Sequence, residues 1–308
     1  MSLAAAAVPA RRKGDKGIDG SADARLGLML AAPIVIAMLS LVLFPVASTL
    51  WDSLHRVNPM MAGQPFIGLQ HYRDLLVDPV VNESWRNTVV YVVICVVLET
   101  AGGIAAALLI NQAGRWRRYV LAIVILPWAL PGVVNAVVWG WIYNPAFGLL
   151  NGLLVAAGLD FEKFVWFNDR TIALFAVSLV HVWRMLPLTA VIVLAALQSI
   201  PSDLYEAGRI DGATRRRMFF YITLPLIRGG IAVAMTQSTV AAFNFFDEAW
   251  ILTGSARGTR PILVQVYLEA FQNLHFSYGM ALSVLVMIAS LTVSLVYVLR
   301  VQRVTRLD

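Results

Sequence analysis

Six stretches of this chain are apolar for about twenty residues or more, at positions 26–50, 88–110, 119–143, 171–197, 229–252 and 278–299. A helix needs about that length to cross the hydrocarbon of a bilayer, because every backbone polar group must be satisfied within the segment. The pattern therefore predicts an all-α integral membrane protein with six transmembrane helices. Composition agrees: 59% of the 308 residues are hydrophobic, 14% are charged, and the mean hydropathy is +0.73. Soluble domains lie nearer half apolar and a quarter charged, so lipid must cover part of this surface. The first run is too long for the apolar core of a signal peptide, which spans about 7–15 residues, and reads as an uncleaved anchor. Arg11-Arg12 lacks the rest of a twin-arginine signal. Residues 1–24, rich in Ala, Gly and charge, read as a flexible cytoplasmic tail ahead of a six-helix transmembrane domain at 25–308, with the loop 198–225 inside it.

The net charge of +6 does not point to nucleic acid, because the basic residues fall in short runs between apolar segments. They orient the chain instead. With the N-terminus inside, sixteen of the 24 Lys and Arg residues fall on the cytoplasmic side, seven fall outside and Arg184 lies within a span. Both termini are expected in the cytoplasm. Cys95 is the single cysteine, so no intrachain disulfide can form. Prolines at 33, 45, 127, 131 and 187 lie inside the apolar runs, where each removes a backbone donor and can kink a helix.

The segment 198–225 follows the fourth run and reads as two short helices joined by a turn. Pro201 breaks the preceding helix, and Asp203 with Glu206 has the spacing of a capping box. Gly212 can take the left-handed conformation that ends the first short helix, and Thr214 can cap the second. Arg215, Arg216 and Arg217 then lie at the cytoplasmic surface, against lipid head groups or a soluble partner.

Glu206-Ala207-Gly208, then Gly212, then Ile222, Leu224 and Pro225 match the "EAA" loop of binding-protein-dependent ABC import permeases at six of seven positions. The departure is Gly208, where the family carries a second alanine. It loosens the helix by about 1 kcal/mol without shifting the register. The chain thus resembles the membrane-spanning subunit of such an importer. The segments 244–254, 278–283 and 66–72 resemble those of the carbohydrate-uptake, maltose or glycerol-3-phosphate type. The resemblance implies that Glu206, Ala207, Gly208, Asp211, Gly212, Ile222, Leu224 and Pro225 couple the chain to an ATPase. It also implies a second homologous permease chain, two ATP-binding cassette subunits and an extracytoplasmic solute-binding protein, in a bacterial inner membrane. No Gly-x-x-x-x-Gly-Lys-Ser/Thr loop is present, so ATP and Mg are expected on the partner subunits, and no cofactor on this chain. The implied cargo is a sugar or oligosaccharide, with glycerol-3-phosphate or a glycerophosphodiester as the alternative.

Ionisable residues inside a span are costly and face protein or water. Glu99, Arg184, Asn244, Asp247 and Glu248 are the polar residues to explain. They either line a translocation path or, as with Glu99 or Asp247 paired to Arg184, hold the bundle together. His55, His71, His181 and His275 show no metal-ligand spacing along the chain. No nucleophile and base stand in register, so no catalytic residue is expected. Aromatics at 51, 85, 139, 141, 143 and 166 fall near external span ends, where rings anchor to the interface. An ion-driven secondary transporter would also explain the intramembrane charges, but leaves the EAA-type loop without a purpose.

Overall fold

The computed structural model describes residues 20–57 and 63–305, and the chain falls into two units, Met1–Trp51 and Asp52–Asp308. Of the expected tail, residues 1–19 lie outside the described residues, and the remaining five are helical. The helix continues into α1, an apolar Gly27–Ser53 segment long enough to cross a membrane, all but its last two residues in the first unit. A π-helical turn at Leu39–Leu43 sits just ahead of Pro45. The wider turn accommodates a ring that lacks an amide donor, so the helix continues.

Among its described residues, the regular structure of the second unit is helical, apart from an isolated bridge between His55 and Phe66. Its elements are α2 (Gln70–Val77), α3 (Pro79–Gln112), α4 (Arg117–Ile125), α5 (Gly132–Ile142) and α6 (Leu149–Ala156). They continue with α7 (Arg170–Gln198), α8 (Ser202–Ile210), α9 (Arg215–Leu226) and α10 (Arg228–Phe243). The chain ends with α11 (Asp247–Thr253), α12 (Ile262–Gln272) and α13 (Phe276–Thr305). α3 and α7 pack along their length, α10 lies against both of them and against α13, and α11 is held between α5 and α7.

The packing follows from the sequence pattern of α3. Thr88, Val92, Cys95, Glu99, Gly103, Ala107 and Ile110 recur every three or four residues and are buried. Val89, Val93 and Val97 recur on the opposite face and are more than half exposed, as lipid-facing side chains must be. Glycine sets the closest approaches. A Cβ on Gly103 would fall against the Thr189 side chain and within 3.2 Å of the Ala190 amide nitrogen of α7. A Cβ on Gly230 would collide with Ala196, so α10 reaches α7 only because that position has no side chain.

Four helices are single apolar spans: α1, α3, α7 and α13. α9 and α10 are long and apolar enough only when taken together, and they are bent by 67° at the break between them. Two expected spans are not continuous helices. The run 119–143 breaks between α4 and α5, at Pro127 and Pro131, where two missing amides end the ladder. The run 229–252 stops at Phe243; Asn244 turns its side-chain amide back to the Val240 carbonyl at 2.9 Å, and the chain restarts as α11. Pro187, in contrast, is buried within an uninterrupted α7.

Candidate functional site

Two features concentrate polar chemistry: the segment after α7, and the buried core between α3, α7 and α11. In the first, Pro201 takes the N-cap position of α8, and no side chain caps that end. The expected Asp203–Glu206 capping box does not form, because the helix begins two residues earlier than that box requires; Asp203 accepts from the Ser202 hydroxyl at 3.3 Å instead. The C-terminal end is built as expected. The Gly212 amide donates to the Arg209 carbonyl at 3.1 Å and the Ala213 amide to Gly208 at 2.9 Å, with Gly212 at φ +72°. This is a Schellman closure, and it requires a residue that accepts the left-handed conformation. Thr214 caps the next helix by accepting from the Arg217 amide at 3.4 Å.

The two short helices are tied into a hairpin. The Tyr205 hydroxyl lies 3.0 Å from that of Thr223, and an added Cβ on Gly208 would sit 3.1 Å from Ile222 Cδ1. The motif's Gly208 and Ile222 are therefore packing partners, and alanine at 208 would crowd this contact. A π-helical turn at Phe219–Thr223 precedes Leu224-Pro225, repeating the arrangement before Pro45. The bend into α10 follows at Ile227, which is fully buried. Ile210, at 87% exposure, Leu204 and Tyr221 leave apolar surface at the outside of the hairpin.

In the core, Arg184 Nε donates to Glu248 Oε1 at 3.0 Å. His181 Nδ1 lies 3.5 Å from the same oxygen, and His181 Nε2 lies 3.7 Å from Glu99 Oε1. Glu99, His181 and Glu248 are almost wholly buried, whereas Arg184 retains 20% exposure. Phe245 meets the His181 ring edge-to-face, with centroids 4.8 Å apart. The structure thus gathers Glu99, Arg184 and Glu248, and the ion pair runs to Glu248 rather than to Glu99 or Asp247. Asp247 sits over Gly132 of α5, where a Cβ would collide with its carboxylate. Asn244 is exposed and bonds only within its own helix.

Sequence reading missed His181 as the centre of this group, because nothing in its neighbours signals partners 82 residues upstream on another helix. It also missed a polar staple at one end of α3. Asn87 donates to the carbonyls of Arg257 and Arg260 at 3.0 Å and accepts from Arg170 at 2.7 Å. The Tyr91 hydroxyl donates to the Thr259 carbonyl at 2.8 Å. These bonds fasten the loop between α11 and α12 to the bundle.

Residues 99–306 match the family described as binding-protein-dependent transport system inner membrane components. The chain belongs to that family. It is 35% identical over 288 residues to the trehalose/maltose transport system permease protein MalF of Thermococcus litoralis, covering 92% of this chain and 96% of the relative. It is 34% identical over 281 residues to the sulfoquinovosyl glycerol transport system permease protein SmoG of Agrobacterium fabrum, covering 89% and 90%. A bacterial alginate ABC transporter, solved with a periplasmic protein bound to an alginate pentasaccharide, contains a chain of the same fold. The TM-score is 0.79 at 24% identity, over 93% of this chain and 97% of that one. The chain is thus an all-α, multi-pass permease of the ABC importer class, and the ion-driven alternative falls away.

Proposed function

We propose that this permease carries a sugar or oligosaccharide inward, driven by ATP hydrolysis on separate subunits engaged by the hairpin 198–225. The observation that carries the coupling role is the hairpin itself. It is a rigid pair of short helices, closed by Gly212 and cross-tied by Tyr205–Thr223, with Ile210 and Leu204 exposed. Such a surface suits a soluble partner, and the tie to Ile227 at the entry of α10 gives movement of that partner a lever on the membrane helices. In this reading Glu206, Ala207, Gly208, Asp211, Gly212, Ile222, Leu224 and Pro225 transmit the push. The ATP-bound partners favour one orientation of the cavity and their release favours the other.

The full assembly would contain a second homologous permease, two ATP-binding cassette subunits holding ATP and Mg, and an extracytoplasmic binding protein. Both termini would lie in the cytoplasm. α4 and α5 would together make the third of six crossings, and α10 with α11 the fifth. The sugar assignment draws on relatives named for trehalose, maltose and sulfoquinovosyl glycerol. A glycerol-3-phosphate permease of Pectobacterium atrosepticum is also 30% identical, which keeps glycerol-3-phosphate or a glycerophosphodiester as the second reading. Asn244, exposed at the break between α10 and α11, and Asp247 beside it are the residues we assign to the solute path. Affinity purification of the tagged chain from native membranes, with mass spectrometry, tests the assembly. A co-purifying ATPase, second permease and binding protein are expected; a chain isolated alone under several mild detergents would refute it.

A further inference from the structure

Among the described residues, one group of side chains has the chemistry and spacing of a metal centre: Cys95, Glu99 and His181, all buried. Cys95 and Glu99 stand four residues apart on α3, so they lie on one face, and His181 approaches from α7. One ligand atom from each lies within 4.8 Å of the other two. We propose that this cluster binds a divalent cation of the zinc class, staple-fashion, between α3 and α7.

Three observations lead there independently of the transport reading. Both carboxylate oxygens of Glu99 and the His181 Nε2 that faces them are buried without a hydrogen-bond partner. Buried polar atoms are nearly always satisfied, and an orphaned set converging on one point calls for a ligand. The spacing is the second. A direct charge-assisted hydrogen bond would close to about 2.7–2.9 Å, whereas His181 Nε2 and Glu99 Oε1 stand 3.7 Å apart. Tetrahedral bonds of about 2.0 Å from zinc to nitrogen and oxygen put those donors roughly 3.3 Å apart, nearer the separation seen than a hydrogen bond is. The third is the surround. A metal-bound histidine characteristically donates its other ring N–H to a carboxylate. Here Nδ1 faces Glu248 Oε1 at 3.5 Å, that carboxylate is held by Arg184 at 3.0 Å, and Phe245 braces the ring.

The charges also close. A dication with the Cys95 thiolate, the Glu99 carboxylate and neutral His181 sums to zero, and Glu248 with Arg184 sums to zero beside it. A thiolate–imidazole–carboxylate set selects zinc or cadmium over calcium or magnesium, which prefer all-oxygen shells. A water or a solute oxygen would complete the fourth position.

The test uses the permease assembled with its partner subunits, stripped with chelator, exposed to zinc chloride and cleared of unbound metal. Elemental analysis should find one more zinc per copy of this chain in the wild type than in Cys95→Ser or Glu99→Gln. Cadmium should give a thiolate charge-transfer absorbance that Cys95→Ser removes. Glu248→Gln should weaken binding by about 10–100-fold, as losses of such supporting carboxylates do. Glu99→Gln is isosteric and keeps the test falsifiable should Cys95→Ser fail to fold. Equal zinc in wild type and variants, or no cadmium–thiolate absorbance in the wild type, overturns the proposal and leaves a direct Glu99–His181 contact in its place. Neither outcome bears on whether the chain is an importer.

Discussion

Replacing Arg184 by methionine isolates the energetic role of the core ion pair. The change removes the 3.0 Å partner of Glu248 and leaves a carboxylate of 1% exposure whose nearest side-chain cation is His181 at 3.5 Å. Breaking a buried pair from one side costs about 3–5 kcal/mol, because the remaining charge stays desolvated. Arg184 keeps 20% exposure, so some water already reaches the pair, and the lower end, about 3 kcal/mol, is the appropriate figure. That shifts the folding equilibrium by on the order of 100-fold. Adding Glu248→Gln removes the stranded charge and should bring the double variant back to within about 1 kcal/mol of wild type. Equilibrium unfolding of the purified permease in mixed micelles, read for both single variants and the double, measures the four corners of the cycle. Additive losses, or a loss below about 1 kcal/mol for Arg184→Met, would refute the claim that this pair is a buried structural contact.

Gly212→Pro cannot adopt φ +72° and loses the amide that bonds Arg209, so it should uncouple ATP hydrolysis from uptake while the membrane helices still assemble; normal uptake in proteoliposomes would count against the hairpin's role. Gly103→Val should separate α3 from α7 at Thr189 and Ala190, costing about 1–3 kcal/mol or more and lowering the yield of folded protein, read by size-exclusion profile. Asn244→Ala should cut uptake and leave co-purification of the partners intact; lost assembly would remove Asn244 from the solute path. His71, outside the spans, is held below the ordinary histidine value of 6.5, chiefly by burial, with Asp74 opposing. The unfolded chain therefore takes up that proton first, so the stability of the neutral, buried form is full above about pH 6.5 and falls as pH drops through 6.5 toward the lower folded value. Melting temperatures between pH 7.5 and 5.5 should fall more steeply for wild type than for His71→Gln.

Spans α3, α7 and α13 were legible because each is a long apolar run with no helix breaker strong enough to end it. The hairpin was legible because Gly212, Thr214 and Pro201 act locally, through backbone conformation and capping. The runs 119–143 and 229–252 were legible as apolar segments but not as broken helices: Pro127 and Pro131 read as kinks and end the ladder outright, and hydropathy gives no sign of the stop at Asn244. The Asp203–Glu206 box failed because Pro201 takes the N-cap and fixes the helix start two residues earlier. The core was half legible. Glu99, Arg184 and Glu248 stood out as charges among apolar residues, but which carboxylate meets Arg184 depends on how α11 restarts after the break. His181 carries no such signal, since a lone histidine on an apolar helix is ordinary until its neighbours in space are known.

The coupling claim is tested most directly by uptake into proteoliposomes holding the complete complex. Radiolabelled maltose or trehalose serves as cargo, with ATP enclosed and the co-purified binding protein outside. Uptake should require both the ATP and the binding protein, survive an uncoupler, and vanish in Gly212→Pro while ATP hydrolysis continues. Uptake that runs without ATP and collapses with the uncoupler would contradict the account.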